Sequence, residues 1–208
     1  MSSASLQNSA PALVLASAST GRRALLAGAG LSFTVVPAVV DETALLDGLR
    51  AEGADAGDAA TVLAETKALQ VAARLPAETV VLGADQILEI DGRWLEKPGS
   101  REAAAAQLAA LQGRTHRLRC AVVAARGGAR VWQAQGEARL TMRPLSPATI
   151  ERYLDVEGPA VLGCVGAYRI EGPGAQLFER IEGDWFSIVG LPLLAVLGFL
   201  REQGVLLR

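Results

Sequence analysis

The chain has a single histidine, His116, and only two cysteines, Cys120 and Cys164, in 208 residues. That scarcity excludes a histidine cage for zinc, and without a Cys-x-x-Cys pair neither a disulfide scaffold nor a zinc site is expected. The cysteines read as small core residues. His116, between Thr115 and a run of alternating residues, reads as a strand-edge residue rather than a catalytic one. Aromatics make up only 4% and no basic stripe accompanies them, so the stacking platform and cationic groove that nucleic-acid binding needs are missing. A formal net charge of −2, from 20 basic and 22 acidic residues, provides no global field for a polyanion or an anionic membrane. Any positive site must be local. The longest apolar run, Leu191–Leu200, falls short of the roughly 20 residues a membrane span requires and reads as a buried helix. Met1–Pro11 is Ser- and Ala-rich but lacks a basic segment followed by a long apolar one. It reads as a disordered lead-in rather than an export signal, with the cytoplasm as the expected address and residues 12–208 as a single domain.

What is present begins at the N-terminus. Residues 13–26 run from an apolar strand through Ser17, Ser19 and Thr20 to Gly21 and then to Arg22 and Arg23 at a helix start. Hydroxyls, free backbone N–H groups and guanidinium donors in that order form a cradle for phosphate oxygens. An ordinary N-cap with solvated arginines is the alternative. Against it, two cations at the positive end of a helix dipole are unfavourable without an anion.

With half of its residues hydrophobic, the chain can bury a substantial core, and its alternating strand and helix patterns predict an α/β fold with a mixed sheet. Gly21–Ala29 reads as a helix and Leu31–Pro37 as a short strand, leaving Asp41 and Glu42 just beyond strand. Gly48–Asp58 reads as a loop, with Asp58 capping a helix through Arg74. On that helix Lys67 lies off the main apolar stripe, free to reach a cleft. Thr79–Gly83 reads as a buried strand delivering Asp85 to its carboxyl end, where open α/β sheets place their ligands. A turn-forming aspartate is the competing reading, weakened because Ile87–Ile90 continue as strand. Asp91-Gly92 predicts a hairpin that returns Lys97 toward Asp85. Ser100–Gln112 reads as a helix closed by Gly113, followed by two long strands around Gly127-Gly128, a helix from Ser146-Pro147, and a turn at Glu182–Asp184.

The motifs together resemble one family. Leu-Ala-Ser-x-Ser-x-x-Arg-Arg at 15–23, Val-Asp-Glu at 40–42, Leu-Ala-x-x-Lys-Ala at 63–68, Gly-Ala-Asp at 83–85 and Lys-Pro at 97–98 resemble the Maf family. So do Leu-x-Gly-Arg-Thr-His at 111–116, Gly-Ala-Tyr at 166–168, Glu-Gly at 171–172 and Val-Gly-Leu-Pro at 189–192. The resemblance implies an elongated mixed sheet flanked by helices, akin to the inosine triphosphatase fold, with two lobes around a deep cleft. It also implies a house-cleaning pyrophosphatase that cleaves a nucleoside triphosphate between the α and β phosphates with Mg²⁺ or Mn²⁺. In that scheme Asp85 activates water. Ser17, Ser19, Arg22, Arg23, Lys67 and Lys97 hold phosphates, and Glu42 with Asp85 places the metal. Phosphoryl chemistry asks mainly for positioning and charge neutralisation, so this set is sufficient. The family resemblance also points to a homodimer.

Departures from the pattern bear on the base. Thr20 and Gly21 replace a proline and an arginine or tryptophan, Thr66 replaces a glutamate, and Cys164 stands where many members carry a lysine. Three positions separate the family branch acting on thymidine and uridine triphosphates from the one acting on 7-methyl-GTP; they align with Gly21, Gln86 and Glu171. Gln86 and Glu171 match the methylguanine branch and Gly21 matches neither, so the expected substrate leans toward a 7-methyl-GTP-like purine. A carboxylate at 171 suits a cationic base or the N–H donors of a guanine edge. The alternatives are a thymidine or uridine triphosphatase, an enzyme for damaged purines, and a non-enzymatic nucleotide-binding regulator of cell division. Retention of Asp85 beside Lys67 and Lys97 argues against the last.

Overall fold

A computed structural model describes residues 5–207. Among them, seven strands and seven α-helices form a mixed α/β protein whose strands pair in the order β2-β1-β3-β5-β6-β7, with β4 paired to β3. The strands are β1 Leu13–Leu15, β2 Thr34–Val35, β3 Val80–Ile90, β4 Arg93–Leu95, β5 Thr115–Arg126, β6 Ala129–Met142 and β7 Phe178–Gly183. The helices are α1 Thr20–Gly28, α2 Glu42–Ala51, α3 Ala56–Ala72, α4 Arg101–Leu111, α5 Pro147–Glu157, α6 Trp185–Val189 and α7 Leu193–Glu202. The chain forms two compact units. One contains the chain up to Asp85, Cys120–Gly136 and the chain from Gly190; the other contains Gln86–Arg119 and Glu137–Val189.

In the first unit β1 lies parallel to both β2 and β3, with Val14 opposite Thr34 and Leu15 opposite Leu82. All three residues of β1 are buried, as expected for parallel strands covered on both faces. Helix α3 packs against β3 with almost no gap: a Cβ added to Gly83 would lie 2.1 Å from the Ala64 carbonyl oxygen and 2.6 Å from the Ala68 nitrogen. Glycine at 83 and alanines at 64 and 68 are therefore what bring this helix down onto the strand. Trp132 stacks on Phe199 at 4.8 Å between ring centroids. Of the lead-in expected over residues 1–11, residues 1–4 lie outside the described residues. From Ser5 the chain is tied down, since Gln7 bridges to Leu206 and the Asn8 amide donates to the Val205 carbonyl at 2.8 Å.

The second unit has its own core, with Leu88, Leu108, Leu111, Leu140, Met142 and Leu154 packed together. The β3–β4 hairpin turns at Asp91 and Gly92, both at positive φ (48° and 73°), the two-residue geometry that Asp-Gly favours. Leu88 faces Leu95 across it. Strand β7 pairs antiparallel with β6, Leu140 opposite Ile181, and three 3₁₀ turns occupy much of Gly158–Leu177.

Several expectations change. The loop expected over Gly48–Asp58 is largely helix, because Asp41 caps α2 by accepting from the Ala44 amide, so Glu42 opens a helix rather than trailing a strand. The cap of α3 is Asp55, not Asp58; its carboxylate accepts from both Gly57 and Asp58 amides. His116 is buried on interior strand β5. Cys120 is a core residue, whereas Cys164 is half-buried.

Candidate active site

Strand β1 stops at Leu15, opposite Leu82, while β3 runs on to Ile90, so Asp85, expected at the carboxyl end of a strand, lies in the middle of β3 just past the end of its neighbour. Ser17 follows β1 directly, and its Oγ accepts from the Ser19 amide at 3.3 Å and from Arg22 Nη1 at 3.0 Å. With both acceptor positions used, the Ser17 proton remains available to donate. Ser19 is the N-cap of α1, accepting from the Arg22 amide at 3.3 Å. Ser19 is therefore the cap, while Ser17 is held between the Ser19 amide and Arg22.

The two arginines divide. Arg22 is 8% exposed, with Nε donating to the Gly190 carbonyl at 2.8 Å and Nη1 to the Ala84 carbonyl at 2.8 Å as well as to Ser17. It ties α1 to the middle of β3, one residue before Asp85, and to the segment leading into α7. A cation at a helix start is compensated here by carbonyl oxygens and a hydroxyl rather than by an anion. Arg23, one position on, is exposed and makes no side-chain hydrogen bond to protein among the described residues. Its guanidinium is the one in this turn available to an incoming anion.

Asp85 and Lys67 are both buried, and Lys67 Nζ lies 2.6 Å from Asp85 Oδ1. The same nitrogen lies 2.5 Å from Glu42 Oε1. Lys67 does not reach outward from α3; it lies on the face pressed against β3, where the close approach at Gly83 sets its reach to Asp85. Asp85, Glu42 and Lys67 therefore form one cluster, with the Glu42 side chain 35% exposed at its margin. Asp85 Oδ2 takes no hydrogen bond from protein among the described residues.

The donor set suits a hard divalent cation. Two carboxylates converge on one ammonium, while no group of three or more acidic, histidine or cysteine side chains placed to hold a metal ion occurs among the described residues. That pairing fits Mg²⁺ or Mn²⁺ held by one or two carboxylates with substrate phosphates completing the shell.

The other predicted residues lie in the second unit, except Gly21, which is in α1. Gln86 donates through Nε2 to the Ser187 and Ile188 carbonyls at 3.0 and 3.1 Å, fixing β3 to α6. Lys97 is exposed two positions beyond Leu95, as Gln86 is two positions before its partner Leu88. Lys97 is near enough to Cys164 to oppose the rise in its thiol pKa, which burial and the Glu171 carboxylate push up. Glu171 pairs with Arg169, Nε to Oε1 at 3.5 Å. Sequence reasoning missed Arg169 and Glu157. A signal existed: Glu157 ends α5 just before Gly158, and a carboxylate at the negative end of a helix dipole is costly unless it is paired.

A carboxylate on β3 clamped by lysine thus lies beside a capped helix start with one engaged and one open arginine, in a mixed α/β protein. The model of the family described as Maf-like protein matches residues 12–203, and the chain belongs to that family. Among curated relatives it is 49% identical over 194 residues to a nucleoside triphosphate pyrophosphatase of Granulibacter bethesdensis, covering 93% of this chain and 98% of that one. It is 51% identical to a protein of the same name from Paramagnetospirillum magneticum, over 93% and 99% of the two chains. A 7-methyl-GTP pyrophosphatase of Rhizobium etli is 48% identical, over 94% and 98%.

Proposed function

We propose that this chain is a nucleoside triphosphate pyrophosphatase, a hydrolase that splits the α–β anhydride to give a nucleoside monophosphate and pyrophosphate. The observation that carries the reading is the buried Lys67 between Asp85 and Glu42, next to a helix start with an open arginine. Curated relatives at about half identity, matched over nearly their whole length, bear the same activity in their names.

In this scheme Asp85 Oδ2 accepts a proton from the attacking water while Oδ1 stays anchored to Lys67, so the base is held at one angle throughout. Arg23, the Ser17 hydroxyl and the α1 amides hold phosphate oxygens, and Arg22 fixes the start of α1 against β3 beside Asp85 for them. Lys67, while still holding Asp85, and Lys97 offer ammonium charge that attracts the phosphates. A divalent cation held by Glu42 and Asp85 would supply neutralisation of the charge that develops on the departing pyrophosphate. Residues 12–208 work as one Maf-like domain, with the cytoplasm as its site of action. No helix among the described residues is long and apolar enough to cross a membrane.

Gln86 and Glu171 favour a purine of the 7-methyl-GTP type, as in the Rhizobium etli relative's name. The test is pyrophosphate release from methylated and canonical triphosphates with Mg²⁺ or Mn²⁺. The expected result is release of pyrophosphate rather than single phosphates, fastest with the methylated purine, lost in EDTA and restored by excess metal. Stepwise release of orthophosphate, or undiminished turnover in EDTA, would overturn the reading.

A further inference from the structure

Outside the cluster around Asp85, one carboxylate has no evident reason to be where it is. Glu157, at the end of α5, has a side chain only 2% exposed, and its Oε1 meets no hydrogen-bond partner. Burying a carboxylate is costly unless a cation answers it. Its Oε2 lies 3.4 Å from Arg169 Nη1, and Arg169 Nε lies 3.5 Å from Glu171 Oε1. The guanidinium thus stands between a buried carboxylate and one whose side chain is 34% exposed.

The surrounding backbone is built around this chain of contacts. The Arg169 amide donates to the buried Tyr153 hydroxyl at 3.3 Å, and the Arg169 carbonyl accepts from the Gly172 amide at 3.3 Å. Gly174 sits so close over the Arg169 peptide that a Cβ there would lie 2.3 Å from the carbonyl oxygen. A Cβ at Gly172 would come within 3.2 Å of Glu157 Oε1, so the buried carboxylate packs directly beneath the peptide that follows Glu171. An arginine fixed at its backbone and at one end of its fork can hold a carboxylate at the other end in a single orientation.

We propose that Glu157 and Arg169 are positioning residues that orient Glu171 to accept N–H donors from a guanine-type purine base. The inference rests on the pyrophosphatase reading and deepens it by naming what sets base choice. Glu171 Oε1 faces Arg169, which leaves Oε2 for the base. Losing either orienting group lets the Glu171 side chain rotate and costs affinity only for bases that offer such donors. A plain loop staple would instead weaken every nucleotide alike.

Equilibrium binding of α,β-imido GTP and α,β-imido UTP separates the two, because it needs no hydrolysis. Wild type should prefer the purine analogue, and Arg169→Met or Glu157→Gln should cut that preference about 10-fold, the loss expected for one charged hydrogen bond. Arg169→Met should melt lower, because Glu157 is left buried without its cation, so binding is read at a temperature where circular dichroism shows the variant fully folded, and Arg169→Lys should recover part of the preference. An unchanged purine-to-pyrimidine ratio in natively folded Arg169→Met would overturn the proposal, as would equal weakening on both analogues or a wild type without purine preference. If Glu157→Gln fails to fold, Arg169→Met decides. Should wild type bind selectively yet release no pyrophosphate, the pyrophosphatase reading falls and the binding ratios still judge Glu157 and Arg169.

Discussion

Asp85 has one carboxylate oxygen committed to Lys67 and the other open, a division that suits a base which must not rotate as it takes a proton. Asp85→Asn keeps the shape and removes the basicity. It should lower kcat by about 100-fold or more, the usual contribution of a general base, while nucleotide affinity stays measurable; titration of a bound nucleotide beside a turnover assay checks both. The two arginines make a sharper contrast because the structure gives them different work. Arg22→Ala would strand the Ala84 and Gly190 carbonyls inside the protein, and a destabilisation of about 2 kcal/mol or more is expected from unsatisfied buried acceptors. Arg23→Ala touches no protein partner, so its unfolding midpoint should match wild type while KM rises about 10-fold from the lost phosphate contact. Urea unfolding paired with steady-state kinetics on both variants tests the division. Equal behaviour of the two would mean that the guanidinium roles have been assigned to the wrong residues.

At the scale of elements, what was legible in the sequence was local chemistry, and what was hidden was long-range contact. The β1–α1 junction and the Asp91-Gly92 hairpin could be read because turn residues, caps and apolar runs sit within a few positions of each other, whereas Asp85, expected at a strand's carboxyl end, lies within β3, which continues to Ile90. Helix α2 was missed because Gly48 and the Ala-Glu-Gly-Ala stretch after it have the composition of a loop. The Asp41 that caps it reads, from sequence alone, as a carboxylate just beyond a strand. Lys67, expected off the apolar stripe and able to reach a cleft, meets Asp85 and Glu42; azimuth on a helix shows which residues share a face but not how close the partner strand will come. Gly83 sets that distance, and its role depends on Ala64 and Ala68, far from it in sequence. Gly83→Ala therefore has to move α3 or bend β3, since its methyl would meet backbone rather than a flexible side chain. We expect a loss of about 1–3 kcal/mol, the usual range for overpacking a core, together with reduced kcat because Lys67 and Asp85 would separate. A calorimetric scan that finds Gly83→Ala as stable as wild type would show that the helix yields without cost.

For the whole molecule, pH exposes one buried group more than any other. His116 is 1% exposed, its Nε2 lies 2.8 Å from the Tyr168 hydroxyl, and its Nδ1 has no partner. A neutral ring that donates from Nε2 leaves only an acceptor unpaired, whereas a protonated ring would bury an unpaired N–H donor beside Tyr168 and Phe178. Burial accordingly pushes the imidazole down to about 4, from an ordinary value of 6.5. Between those two pH values the unfolded chain binds a proton that the folded chain refuses, so acidification favours unfolding. The contribution of the neutral ring is complete above pH 6.5, declines as pH falls toward 4, and changes no further below that. Across the window it amounts to about 3 kcal/mol. Carboxylates titrate in the same range, but they are common to wild type and a His116→Gln variant and cancel in the difference between them. The stability gap between the two proteins, measured by urea unfolding at steps from pH 7.5 to 4.5, should therefore shrink or reverse as pH falls. A gap that stays constant over that range would mean that His116 takes up its proton in the folded core as readily as in the open chain.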